Sequence, residues 1–292
     1  MENIAIIQLI ADSPTAFIVC TFIVSLLVGS FLNVVIYRLP IMMEREWQRD
    51  IELTQNPDKE PSQQATFNLI KPDSTCPNCK HKIRAWENIP VISWLALGRK
   101  CSGCKTPISA RYPAVELLTA VLSALVAFQL GWGLTAFAFI FATWLLVAMT
   151  FIDLDKMLLP DSLTLLMLWV ALGISCFEST ISPVDAIIGA MVGYLSLWSV
   201  YWGFKLLTGK EGMGYGDFKL LAAIGAFVGW QHLPIVILLS SVVGAIVGIS
   251  LMFIKRKDGN LAIPFGPYLA AAGWLTMLYG DAIADWYLSS FV

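Results

Sequence analysis

Uncharged apolar runs of roughly membrane length recur along this chain, and nothing else in it constrains the fold as tightly. A helix needs about 20 mostly apolar residues to cross the hydrocarbon of a bilayer. Eight stretches approach or meet that need: 15–37, 114–130, 134–152, 162–177, 184–207, 218–230, 234–254 and 264–280. The second, fourth, sixth and eighth are short. Charged residues make up only 14% of the chain and hydrophobic ones 57%, against about 25% and 45–50% in soluble proteins. This excludes a soluble enzyme, a disordered tail and a disulfide scaffold. The expected fold is an all-α polytopic membrane protein with about eight transmembrane helices in the lipid bilayer. Tyr37, Trp132, Trp202, Trp230 and Tyr279 sit near span ends as interfacial anchors. The G-x-x-x-G spacings Gly189/Gly193 and Gly244/Gly248 permit close helix approach.

The net charge of -2 is uninformative, but the placement of the 19 Lys and Arg residues is not. Basic residues concentrate on the cytoplasmic side of membrane proteins. With eight spans and the N-terminus outside, all 19 fall on that side, most of them between Arg38 and Arg111. The opposite side carries only the acids Glu2, Asp12, Glu178, Asp185, Asp281 and Asp285. Both termini are therefore expected outside, with one large cytoplasmic loop at 39–112. The expected organisation is a first transmembrane helix at 1–38, the loop domain at 39–112 and a membrane-embedded domain at 113–292. No Lys or Arg precedes the first span, so a cleavable signal peptide is not expected. Nothing in this pattern points to nucleic acid.

The loop alone has ordinary soluble composition. Glu44 to Asp73 is polar, broken by Pro57, Pro61 and Pro72, and reads as an amphipathic or irregular linker. Beyond it stand Cys76-Pro77-Asn78-Cys79 and Cys101-Ser102-Gly103-Cys104. Two such turns can each present a pair of thiolates and together complete a tetrahedral, zinc-ribbon-like Cys₄ site. The competing reading is a pair of disulfides, which a reducing cytosol disfavours. A closed Cys₄ site has no open position, so a zinc ion there is structural. Cys20 and Cys176 read as small core residues, and His81 as an exposed loop residue or an extra ligand.

Two acidic clusters lie at span ends on the basic side: Asp153, Asp155 and Asp161 around 151–161, and Asp217 in the stretch Gly212-Met213-Gly214-Tyr215-Gly216-Asp217-Phe218-Lys219. Ionisable groups at hydrocarbon are functional candidates. A pair of carboxylates sharing one proton is how aspartic proteases activate water. In a helix, residues 153 and 155 point about 200° apart, so one at most faces such a site. Residue chemistry leaves the choice open. Asp161 reads as a helix cap, Glu116 as a first-turn acid answering the helix dipole or a residue near a substrate amine, and Lys219 as a snorkelling base or a neighbour that tunes the aspartates.

These residues resemble a known family. Gly214-Tyr215-Gly216-Asp217 is similar to the G-x-G-D motif of intramembrane aspartic proteases. The wider pattern resembles the type IV prepilin peptidases, bifunctional leader peptidase/N-methyltransferases of bacterial pilus and type II secretion systems. It includes the stretch 29–40 (GSFLNVVIYRLP), the two C-x-x-C pairs, 108–116 (ISARYPAVE) and 264–268 (PFGPY), and runs from about residue 25 to 270. The resemblance implies that the catalytic residues are Asp217 and the aspartate seven positions before a helix-opening proline, which is Asp153 ahead of Pro160. It implies a multi-pass protein of the bacterial inner membrane. That protein cuts the basic leader from prepilins and pseudopilins at the cytoplasmic face, then methylates the new N-terminus with S-adenosyl-L-methionine. No G-x-G-x-x-G fingerprint is present, and Gly98-Arg99-Lys100-Cys101 departs from the family's usual Arg-Gly order, so no methyl-donor residues are carried over. The alternatives are a peptidase without methyl transfer and a transporter or receptor with a zinc module. The scarcity of ionisable residues at mid-span disfavours transport.

Overall fold

A computed structural model describes residues 8, 10–55, 66–177, 181–255 and 263–291. Glu2, Pro57, Lys59, Pro61, Glu178, Arg256 and Lys257 lie outside the described residues. Among the described residues there are helices and no strands, only two isolated antiparallel bridges. In chain order the helices are α1 (Pro14–Gln55), a 3₁₀ turn (Ala85–Asn88), α2 (Ile92–Ala96), α3 (Arg111–Leu130), α4 (Leu134–Lys156), α5 (Asp161–Ser175), α6 (Pro183–Thr208), α7 (Tyr215–Lys255) and α8 (Gly266–Phe291). Five of these (α1, α3, α4, α6 and α7) are long and apolar enough to cross a membrane, and α5 is a shorter apolar helix. The chain is thus an all-helical, multi-pass membrane protein.

The expected starts and stops have visible causes. Ser182 caps α6 by accepting the Asp185 amide at 3.1 Å, while Pro183 fills the first helical position. Gly209 ends the same helix at φ +70°. The expected spans 218–230 and 234–254 lie in one helical run, α7, interrupted at Gly229, where φ is +74° and ψ 166°. The break comes a few residues earlier than the sequence suggested. Asp185 explains why, because its Oδ1 accepts from both Trp230 Nε1 (3.0 Å) and Gln231 Nε2 (3.1 Å) and anchors the start of the second run.

One expectation is corrected in α1. The apolar span was expected to end near residue 37, yet the helix continues through Pro40 to Gln55. Its 42 residues would measure about 63 Å at 1.5 Å per residue, roughly twice the hydrocarbon thickness. Glu, Arg, Gln and Leu, all good helix formers, dominate the polar extension.

The chain divides into two compact units. One comprises Val19–Ala124, and the other comprises Met1–Ile18 with Leu125–Val292. In the second, α6 packs on α7, α7 on α8, α5 on α7, and α4 on both α5 and α8. Helices in lipid gain little from burial against one another, so small residues and close packing hold them. A Cβ at Gly193 would stand 2.6 Å from the Leu221 carbonyl oxygen, and one at Gly244 would touch the Tyr268 ring at 3.3 Å. The expected packing role of these glycines is met. Cys176 corrects another expectation: it is an exposed residue at the end of α5, not a core residue, while Cys20 is half-buried.

Candidate active site and metal centre

Asp153 lies one turn from the end of α4 and is 5% exposed. Met157 closes that helix in the left-handed region at φ +52°, its amide donating to the Asp153 carbonyl. The chain then turns through Leu159 and Pro160 into α5. Asp217 lies in the first turn of α7 and is 8% exposed. Its amide donates to the Gly214 carbonyl at 3.3 Å. Asp155 is exposed.

Three backbones converge on these carboxylates. The Gly266 amide, at the start of α8, donates to Asp153 Oδ2 at 2.9 Å. A Cβ on Gly266 would stand 2.6 Å from that oxygen and 3.2 Å from Leu159 Cδ1. A Cβ on Gly216 would stand 2.7 Å from Leu159 Cβ. Only glycine permits either approach. Leu159 is therefore the common neighbour of the Asp217 turn and the Gly266 turn. On the α6 side, Tyr201 meets the rings of Tyr215 (5.3 Å) and Phe218 (5.6 Å), which fixes the first turn of α7. Sequence reasoning did not find Gly266 or Leu159 as site residues. Their only signal was the glycine between two prolines at 264–267.

Asp161 and Lys219 differ from expectation. Pro160 occupies the cap position of α5, and Asp161 is the first helical residue. Its carboxylate instead holds Lys219 Nζ at 2.6 Å. The lysine thus bridges α7 to α5 and is not a lipid-directed snorkel.

In the other unit the two C-x-x-C turns are copies of one another. Cys76 N–H donates to the His81 carbonyl and Cys101 N–H to that of Thr106, both at 2.9 Å. Lys80 and Lys105 each take φ +59°, and a bridge closes each turn, Thr75 with Lys82 and Lys100 with Pro107. The ligand atoms of Cys76, Cys79, Cys101 and Cys104 lie within 4.8 Å of one another. Cys76 and Cys104 Sγ are 3.8 Å apart, and Cys79 and Cys101 Sγ 3.9 Å. No cysteine is disulfide-bonded. A tetrahedron with metal–sulfur bonds of about 2.3 Å has edges of about 3.8 Å, so this thiol set fits a metal ion. The Thr106 hydroxyl and amide pull the Cys104 thiol down to about 5, and the Cys79 and Asn78 amides lower that of Cys76. Cys79 moves the other way: the His81 amide favours its thiolate, but burial and the neighbouring Cys104, Cys76 and Cys101 thiols outweigh it and push the thiol up to about 11. His81 is not a ligand in this set: its Nε2 faces Glu87 Oε2 at 3.2 Å and Ser102 Oγ at 3.0 Å.

Glu116 is also corrected. It is the sixth residue of α3, 7% exposed, and answers no helix dipole. Its Oε2 accepts the Val91 amide at 2.8 Å, and the Ser30 hydroxyl also bonds to it. Val91 is a β-branched residue held at φ +61°, a conformation such side chains rarely adopt.

Two buried carboxylates at helix ends of one membrane protein are groups from which acid–base chemistry can be built. The comparisons give the class as a peptidase. Residues 23–130 match the bacterial peptidase A24 N-terminal domain, and residues 139–249 match the type IV leader peptidase family. The chain belongs to that family. It is 57% identical over 289 residues to a prepilin leader peptidase/N-methyltransferase of Aeromonas hydrophila, covering 98% of this chain and 99% of the relative. Relatives bearing the same name in Pseudomonas aeruginosa (54% identical; 97% of each chain) and Neisseria gonorrhoeae (45%; 91% of this chain and 93% of the relative) are also similar. No solved structure matches the chain.

Proposed function

We propose that this protein is a prepilin leader peptidase and N-methyltransferase of the bacterial inner membrane. It removes the basic leader from prepilins and pseudopilins and methylates the new N-terminal residue. The observation that carries the peptidase reading is the convergence of Asp153 and Asp217, both buried, on the Leu159 and Gly266 turns.

In this reading the two aspartates share one proton. The ionised one takes a proton from water as the hydroxyl adds to the scissile carbonyl carbon, and the protonated one gives its proton to the carbonyl oxygen. Collapse of the tetrahedral species breaks the C–N bond, and the leaving amine takes a proton from an aspartate. Gly266 N–H orients Asp153 throughout. The glycines at 214 and 216 leave room for an extended peptide beside Asp217.

Cys76, Cys79, Cys101 and Cys104 hold a structural zinc ion, which stabilises a loop with few apolar residues to form a core. The organisation follows the charges: a first membrane helix at 1–38, a cytoplasmic domain at 39–112 and the peptidase domain at 113–292, with both termini periplasmic. S-adenosyl-L-methionine is the methyl donor by family resemblance.

The test is a purified prepilin incubated with the protein in lipid nanodiscs and isotope-labelled methyl donor. A shortened pilin carrying one labelled methyl group at its new N-terminus is expected. An uncut prepilin overturns the reading, and a cut but unlabelled product reduces it to a peptidase alone.

A further inference from the structure

Between the two cysteine turns, large apolar side chains recur every third residue: Trp86, Ile89, Ile92 and Leu95. All four are exposed, Ile92 by 65% and Leu95 by 58%. An aqueous loop has no use for such a row, which marks a surface made to be covered. The segment is also fixed in place. Pro90 is buried, and the strained Val91 amide is fastened to Glu116 Oε2 at 2.8 Å. Glu116 stands about 7.5 Å along α3 from its first residue. The 20 residues of α3 match the thickness of the hydrocarbon. α1 reaches the same level of α3, since Asn33 Nδ2 donates to the Tyr112 carbonyl at 3.2 Å and Gly29 abuts the Glu116 backbone. The row is therefore level with the first turns of a membrane-crossing helix.

Charge identifies what covers it. From Lys82 to Lys100 the segment carries Arg84, Arg99 and Lys100, with Lys82 paired to Asp73 at 2.7 Å, against one acid, Glu87. That acid is occupied by the Arg84 amide, at 2.8 Å, and by His81. An apolar row flanked by bases is the composition of a segment lying in the headgroup layer of an anionic leaflet.

We propose that residues 83–96 are a membrane-interfacial wedge. Trp86, Ile89, Ile92 and Leu95 enter the boundary between headgroups and acyl chains, and Arg84 and Arg99 meet lipid phosphates. The wedge and the Val91–Glu116 bond together fix the cysteine-rich domain at the bilayer surface.

The test places p-benzoyl-phenylalanine at position 92, at position 95 or, as control, at the exposed Lys105 of the second cysteine turn. The full chain is used in nanodiscs of phosphatidylethanolamine and phosphatidylglycerol, with an apolar peptide added in solution. Variants are first checked for unchanged elution and thermal unfolding, and two probe positions guard against one that does not fold. After irradiation, mass spectrometry is expected to find phospholipid adducts at 92 and 95 at least about tenfold above those at 105, as burial in the interface requires. Adducts confined to the chain or to the added peptide, absence of lipid adducts, or equal labelling at 105 overturns the proposal.

Discussion

Gly266 and Asp153 are separated by 113 residues, yet the amide of one donates to the carboxylate of the other at 2.9 Å, with no room for a methyl group between them. The first residue of α8 thus sets the orientation of a carboxylate near the end of α4. Gly266→Ala is expected to displace that carboxylate. Misplacement by about 1 Å costs on the order of 100-fold in rate, and kcat/KM on a purified prepilin measures it. Unchanged helicity by circular dichroism separates the loss from unfolding.

Lys219 and Asp161 join α7 to α5 at the edge of the same site, at 2.6 Å, but both side chains are partly exposed. Such a pair contributes about 0–1 kcal/mol. Asp161→Asn is therefore expected to leave cleavage within a few-fold of wild type and to lower the unfolding midpoint slightly. A loss as large as that at Gly266 would place Lys219 in the chemistry, and parallel cleavage and melting curves decide between them.

Gly193 lies where α6 meets the backbone of α7. Gly193→Leu forces the helices apart, an overpacking that costs about 1–3 kcal/mol. The expected readout is a clear drop in the thermal midpoint in detergent. The same change at Gly203, whose Cβ would meet nothing within 4 Å, is expected to be nearly silent.

Removing the metal tests the cysteine set. Wild-type protein is expected to carry about one zinc per chain and Cys79→Ser far less, by elemental analysis. Chelation should raise amide hydrogen exchange across 74–107, where the metal takes the part of a core, and leave α6 and α7 protected. Equal exchange with and without metal would show that the two turns stand unaided.

The apolar spans and the cysteine pairs were legible in the sequence because each is a local signal: twenty uncharged residues, or two thiols on one turn. The polar half of α1 was legible only in part, since Trp47 and Ile51 are the few apolar residues at helical spacing from Glu44 to Gln55 and its helicity rests largely on propensity and continuity. The Glu116–Val91 bond and the bond from Gly266 to Asp153 were also hidden. Each joins residues brought together only by packing, and a buried acid and an interfacial acid look alike in one sequence. Asp161 misled for a related reason. It stands where a cap belongs, but Pro160 takes the cap position and Lys219, 58 residues on, takes the carboxylate.

The central claim is that Asp153 and Asp217 act together to cut the leader. Single-turnover cleavage of a purified prepilin by wild type, Asp153→Asn and Asp217→Asn, all in the same nanodiscs, tests it most directly. Asn keeps the size of the side chain and removes the acid. Each variant is expected to lose at least about 1,000-fold, as members of a catalytic unit do, while unfolding at a near wild-type temperature. Cleavage by either variant at the wild-type rate would contradict the account.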